Sequence, residues 1–433
     1  MAKKPKGGKG VSMRRGNLPW LWVFPAALAA TGGVALVLYL AISQDRGAGM
    51  ANPDAERWSL AHWQRPIPPQ GTAPDGTLEP AKSLLPEDCG VCHPSQYADW
   101  KASLHSLAMG PGVVGQFPAL GADEVLQCHS CHAPMSEQIG GTDPGGADVG
   151  GAFRDNPLDN PALASHGLVC AACHLREHRW HGPPLREGRT SMSQLAHGEP
   201  IRSPHFEASE FCKPCHQHPP DSMLVNGKPV ENTYNEWLAS PQAAQGIRCQ
   251  QCHMPDRRHL WRGIHDVEMT RQGLTIEAAL EPEVPKAGAA LRATLTVTNS
   301  GVGHAFPTYT TPAVYLRAAF LDRDDRPIRG TYEEKILQRR LDMSVVPWRE
   351  TFDTRILPGK SSQLRFDHQV PEQAASLYLW IWVDPDQFYN AFFQSMLGRG
   401  DFAGRPRIEA ALAETVRRQY LLWSQKIAIG PNR

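Results

Sequence analysis

Cys89-Gly90-Val91-Cys92-His93 is the stretch on which the reading of this chain turns. The same C-x-x-C-H form returns at Cys128/Cys131/His132, Cys170/Cys173/His174, Cys212/Cys215/His216 and Cys249/Cys252/His253, and these five copies use all ten cysteines. Two thiols at this spacing can reach the two vinyl groups of one porphyrin, and the next residue sets an imidazole beneath the iron. C-x-x-C-H is a haem-attachment signature for that reason. A structural zinc site would close two C-x-x-C halves on one metal, with no need of a His after each. A disulfide framework has no reason to repeat the His. The pattern predicts five covalently attached c-type haems. The ten cysteines are their attachment points, and His93, His132, His174, His216 and His253 are the proximal ligands.

A chain of 433 residues has room for two or three domains. Lysine plus arginine equals aspartate plus glutamate at 44 each, and nothing points to nucleic acid. Arg176, Arg179, Arg248, Arg257, Arg258 and Arg262 lie close to the motifs, where they can neutralise haem propionates or serve as ordinary solvated side chains. Leu18 to Ile42 is an uncharged apolar run preceded by Lys3, Lys4, Lys6, Lys9, Arg14 and Arg15. Such a run can span a hydrocarbon core with the basic end in the cytoplasm. A cleaved signal peptide is the competing reading.

The expected organisation is multidomain. Residues 1–17 read as a basic cytoplasmic tail, 18–42 as a transmembrane helix anchoring the chain in the cytoplasmic membrane, and 43–84 as a Pro/Gly-rich periplasmic linker. Residues 85–266 read as a pentahaem cytochrome c domain, mainly α and irregular, whose core the porphyrins supply. Alternating runs at Leu291–Thr298, Val314–Phe320 and Leu377–Val383 read as strands of an immunoglobulin-like β-sandwich over 267–400. A terminal helix is expected over 401–433, where Ile408, Ala411, Leu412 and Thr415 have helical spacing after Pro406.

One internal repeat is visible. Tyr97-Ala98-Asp99-Trp100-Lys101-Ala102-Ser103-Leu104-His105 aligns with Tyr234-Asn235-Glu236-Trp237-Leu238-Ala239-Ser240-Pro241-Gln242. Gly167-Leu168-Val169-Cys170 is echoed by Gly246-Ile247-Arg248-Cys249, each with a glycine just before a haem motif. Duplication of a helical module accounts for both.

The sixth ligand of each iron decides between a closed electron-carrying haem and an open, reactive one. The distal candidates are His105, His181, His197, His265 and His304, with His205 behind them. Met109, Met135 and Met254 are alternatives. His105 has the most favourable context, on a helix with Trp100, and is expected to serve a haem other than that of Cys89 and Cys92. Gln242, in the equivalent place, should serve packing only. His304, in Gly303-His304-Ala305-Phe306-Pro307, is expected at a rim of the sandwich against a haem.

His93 to His105, Tyr234 to Pro255, Ser209 to His216 and Asn299 to Thr308 resemble the multihaem cytochromes c of the cytochrome c-554 type, related to the tetrahaem cytochrome of ammonia-oxidising bacteria. The likeness runs from about Leu85 to Val383. It implies an electron carrier, some relatives reducing nitrite or hydroxylamine. No C-x-x-C-K occurs, which sets the chain apart from pentahaem nitrite reductases. The expectation is therefore a membrane-anchored periplasmic pentahaem cytochrome c, passing electrons between redox proteins or a membrane complex, with no catalytic residue assigned. The alternatives are a reductase of a small nitrogen or sulfur compound with one open haem, and a quinol dehydrogenase of NapC/NirT type.

Overall fold

The computed structural model describes residues 49–140, 156, 159–187, 197–222, 224–345 and 347–430. Every feature below belongs to the compact unit Ala48–Arg433. The expected anchor at 18–42 lies outside the described residues. Among those described, no helix is long and apolar enough to cross a membrane. The longest, Arg405–Arg417, has 13 residues, about 20 Å at 1.5 Å per residue, against a hydrocarbon core of about 30 Å. The expected fold class and location, a single-pass membrane protein with periplasmic domains, are corrected on that finding. What is present is a mixture of short helices and sheets.

Prolines and glycines keep the helices of the motif region short. Among them are α1 (Pro53–His62), α2 (Pro86–Cys92), α3 (Pro94–Lys101), α4 (Ala122–His132), α5 (Cys170–His174), α6 (Lys213–His216), α7 (Thr233–Leu238) and α8 (Cys249–His253). Pro53, Pro86 and Pro94 open their helices, where a missing N–H costs nothing. Four of the five C-x-x-C-H motifs lie on α2, α4, α5 and α8, and the fourth in sequence straddles the start of α6.

The stretch read as a linker holds α1 and is packed into this region. Asn52 caps α1, accepting from the N–H groups of Asp54 and Ala55 at 3.1 Å each. Ser59 Oγ donates to the Glu210 carbonyl at 2.8 Å. Trp63 and Ile67 are buried in one apolar cluster with Trp100, Met135, Leu163 and Leu175. The Pro/Gly content suggested a spacer. Trp58, Trp63 and Ile67 give the segment an apolar side that burial favours.

Beyond Asp266 the chain forms α9 (Val267–Gln272) and then β1 (Leu274–Glu281), β2 (Ala290–Asn299), β3 (Ala313–Leu321), β4 (Glu333–Leu337), β5 (Arg339–Asp342), β6 (Arg349–Asp353), β7 (Ser361–Gln369), β8 (Ser376–Asp384) and β9 (Tyr420–Ala428). One sheet has the order β7-β2-β1, another β9-β8-β3-β4, and β5 pairs with β6. Leu291, Ala293, Leu295 and Val297 alternate inward from β2, and Val314, Leu316, Ala318 and Phe320 from β3. Both rows enter one core with Leu364, Phe366, Leu377, Leu379, Ile381 and Val383, so the two sheets face each other. Between β8 and β9 run α10 (Gln387–Leu397) and α11 (Arg405–Arg417). The tail expected as a terminal helix is thus a helix followed by a strand. Residues 420–428 pair with β8 along nearly its whole length, and that pairing outweighs local helix preference.

A buried charge joins the sandwich to the motif region. Arg339 on β5 is fully buried; its Nε donates to Glu350 at 2.8 Å, and its Nη2 donates to the Val225 carbonyl at 3.0 Å. Lys228, on the short hairpin that carries Val225, reaches Asp353 at 2.7 Å and Glu350 at 3.1 Å. Burial opposes the charge on Asp353, but bonds from Arg355 and Lys228 outweigh it and hold its carboxyl below the ordinary value of 3.8. Arg339→Ala leaves Glu350 and several carbonyls without their partner and is expected to cost about 3–5 kcal/mol in chemical denaturation. Because the folded-state pKa of Asp353 is depressed, its contribution is present above about pH 4 and lost as pH falls below that value. Asp353→Asn is expected to remove that part of the acid sensitivity in a pH series of thermal melts.

Candidate haem centres

The histidine that ends a C-x-x-C-H motif is oriented by what its other ring nitrogen bonds. His132 Nδ1–H donates to the Ala108 carbonyl at 2.7 Å, His174 to that of His181 at 2.9 Å, and His253 to that of Arg262 at 2.6 Å. A carbonyl only accepts, so the proton sits on Nδ1 and Nε2 is left as a metal ligand. His216 differs: its Nδ1 lies 3.4 Å from the Glu231 carboxylate. Burial alone would lower this imidazole, but Glu231 outweighs it and holds the group above its ordinary value.

Four of these histidines face a second imidazole. Ring centroids are 6.5 Å apart for His93 and His197, 6.2 Å for His216 and His105, 6.1 Å for His174 and His259, and 6.4 Å for His253 and His304. Two imidazoles on opposite sides of one metal, each with a metal–nitrogen distance of about 2.0 Å, have centroids about 6.3 Å apart. The residues therefore fit iron held between paired histidines. Burial drives His105 down to about 3 and His259 and His304 to about 4, so the rings are neutral, as metal ligation requires. Nδ1 of His105, His197 and His259 is buried without a hydrogen-bond partner, a polar atom that calls for one. Among the described residues, no ring contact sets an imidazole opposite His132.

His105, on the turn after α3, faces the motif of Cys212 and Cys215 rather than that of Cys89 and Cys92. The other sequence candidates are placed elsewhere. The His181 ring lies against His62 at 5.7 Å, while its carbonyl accepts from His174. His265 Nε2 is 3.0 Å from Asp386 and His205 3.5 Å from Asp54. Met135 is buried beside Ile67, while Met109 packs with Val114, Phe117 and Val125 in the apolar cluster that Cys128 of the second motif also joins. His259 was absent from the candidates. It follows His253 by six positions but faces His174, and no local signal encodes a pairing across 85 residues.

None of the ten cysteines is paired in a disulfide, and among the described residues no three His, Cys, Asp or Glu side chains gather as a conventional metal cluster. The thiols do bring motifs together. Gln250 Nε2, inside the fifth motif, reaches Cys212 Sγ of the fourth at 4.0 Å. Arg65 donates to Cys131 Sγ at 3.4 Å and to Cys215 Sγ at 3.2 Å. The arginines near the motifs are largely engaged by protein: Arg258 by Asp99, Arg257 by Glu207, and Arg176 by the His62 and Ala172 carbonyls.

The two halves of the internal repeat make the same bonds. Trp100 Nε1–H donates to the Leu168 carbonyl at 2.7 Å, and Trp237 Nε1–H to that of Ile247 at 2.9 Å. The Leu168 N–H donates to the His105 carbonyl and the Ile247 N–H to that of Gln242, both at 2.9 Å. Each copy therefore locks the loop that enters a C-x-x-C-H motif. Gln242 packs against Gly303, beside His304.

No family model matches this sequence. No curated protein matches it either. Among solved structures, a penta-haem cytochrome c552 from Thermochromatium tepidum superposes with a TM-score of 0.53 at 18% identity, covering 79% of this chain and 97% of that one. The chain thus has the fold of a multihaem cytochrome c. An alkylpurine DNA glycosylase from Pseudomonas fluorescens (TM-score 0.17, 8% identity, 40% of this chain and 36% of that one) and a sporulation control protein from Bacillus subtilis (0.15, 11%, 37% and 50%) carry no argument.

A Cβ on Gly167 would run into the His105 carbonyl oxygen and lie 2.6 Å from the Ala108 nitrogen. Gly167→Ala is expected to lower stability by about 1–3 kcal/mol in thermal unfolding, because it pushes apart the two segments that set His105 and Cys170.

Proposed function

We propose that this chain is a pentahaem c-type cytochrome of the cytochrome c-554 type that carries electrons between redox partners. The observation that carries the reading is the set of four opposed imidazole pairs at 6.1–6.5 Å, each built on a C-x-x-C-H motif. Each haem supplies one-electron redox chemistry when bound. The chain supplies the rest. His93 with His197, His216 with His105, His174 with His259, and His253 with His304 would hold four irons from both faces, and the cysteines would fix the ring edges. Closed coordination of this kind suits electron transfer rather than substrate binding. Arg65 between Cys131 and Cys215, and Gln250 against Cys212, bring motifs two and four and motifs four and five close together, which supports electron passage among those centres.

A second reading rests on His132. With no imidazole facing His132 among the described residues, the centre of Cys128 and Cys131 would be open to a small ligand. Tyr389 and Tyr309 are half-buried, and burial raises both phenols, that of Tyr389 to about 12. Protonated phenols there can donate hydrogen bonds or a proton to a bound nitrogen or sulfur oxyanion. The quinol-dehydrogenase alternative presupposes a membrane span, which none of the described helices provides.

Pyridine haemochrome against protein mass should give about five haems per chain, as the motif count requires; a ratio of three or less would remove the reading. His259→Ala and His304→Ala should each convert one low-spin haem to high-spin in EPR, and the double variant two. A carbon monoxide shift of the Soret band in the parent, lost in no distal-histidine variant, would place an open iron at the second motif. Glu231→Gln should raise the midpoint potential of the haem at His216, since loss of the carboxylate lowers that ligand's basicity.

A further inference from the structure

Asp99 and Glu236 occupy the same position in the two copies of the Y-x-[D/E]-W segment, and both reach past their own helix to a histidine-bearing strand of chain. The Asp99 carboxylate accepts from Arg258 Nε and Nη2 at 2.6 Å each and from the His259 N–H at 3.1 Å. The Glu236 carboxylate accepts from Arg355 Nη1 at 2.8 Å and from the N–H of Ala305, next to His304, at 3.3 Å. Both side chains are nearly buried, 7% and 9% exposed. Each is satisfied in the same way, by one guanidinium and one backbone amide, although the arginines come from unrelated places. Arg258 adjoins its histidine in sequence. Arg355 reaches His304 through the paired backbone bonds between Phe306 and Ile356, at 2.8 Å each.

The neighbouring tryptophan faces the other side of the same centre. Trp100 holds Leu168, two residues before Cys170, and the His174 of that motif is the ring that His259 faces. Trp237 holds Ile247, two residues before Cys249, and His253 is the ring that His304 faces. In both copies, one helix therefore grips the loop entering a motif and the segment that carries the opposing imidazole.

We propose that Asp99 and Glu236 are positioning residues for the distal imidazoles His259 and His304, and that the duplicated segment is a two-sided clamp. Its tryptophan sets the proximal ligand of one haem, and its carboxylate sets the distal ligand of the same haem. The inference rests on the haem reading above. A carboxylate suits the task because its two oxygens can hold a guanidinium and a backbone N–H together with charge-assisted bonds, and because ligand geometry depends on what holds the ligand's own chain. A purely structural ion pair would stabilise the fold without singling out one haem.

The test uses the full-length holoprotein with Asp99→Asn and Glu236→Gln, which keep shape and remove charge. Haem content by pyridine haemochrome should equal the parent's, and the other low-spin signals should be unchanged. In each variant one low-spin EPR signal should be lost or displaced, and one midpoint potential should move in a spectroelectrochemical titration. Asp99→Asn added to His259→Ala should produce no further loss of low-spin haem beyond His259→Ala. Where the isosteric variant folds poorly, Arg258→Lys, which keeps the charge but not the fork, should alter the same haem. Variants with full haem content and with spectra and potentials identical to the parent would overturn the clamp. A parent without haem would instead overturn the function proposed above, so the two failures are distinguishable.

Discussion

Opposition of two imidazoles across a gap of about one metal ion organises the motif region. One ring of each pair is supplied locally by C-x-x-C-H, on a helix so short that it cannot be stable alone. The other comes from far along the chain: His197 for His93, His105 for His216, His259 for His174, His304 for His253. Each pair ties two remote segments together, which a region poor in long apolar helices needs. Its apolar clusters, around Trp63, Ile67 and Leu175 and around Phe117 and Val125, are small.

The fold spends much of its polar bonding on holding those rings in place. Backbone carbonyls orient His132, His174 and His253, and a carboxylate does so for His216. Trp261 stands edge-on to both His105 and His259, at 4.7 and 5.1 Å, so one indole separates the distal rings of two pairs. Phe206 stacks on His174 at 5.3 Å. Aromatic walls of this kind exclude water, and burial lowers the proton affinity of His105, His174 and His259.

The sheet region shares in this construction. Asn299, at the end of β2, donates from its side chain to the His304 and Ile356 carbonyls at 2.8 and 3.0 Å. The loop carrying His304 is thereby fixed by the sandwich on one side and by Glu236 on the other. Arg339 and Lys228 reinforce the same junction from the hairpin at Val225. A sandwich that served only as a docking module would have no need to bury charge against the motif region.

What the sequence by itself determined is what is encoded within a few residues. The haem motifs are contiguous, so covalent chemistry and proximal histidine are read together. The alternating runs around Leu295, Leu316 and Leu379 became β2, β3 and β8 because period two is the geometry of a half-buried strand. The repeat was visible because duplication preserves local order. The tertiary structure alone decided the rest. It turned the Pro/Gly-rich stretch after residue 48 into a packed helix, and it converted 420–428 into a strand through pairing with β8. It also set His259, and not His181 or His265, opposite the His174 ring. A distal ligand is selected by approach to an iron bound elsewhere in the chain, and no local pattern records that approach. Asp99 and Glu236 show both sides: their equivalence was legible in the repeat, but that each grips a histidine segment facing the motif its neighbouring tryptophan holds was settled only by folding, because the partners come from three separate parts of the chain.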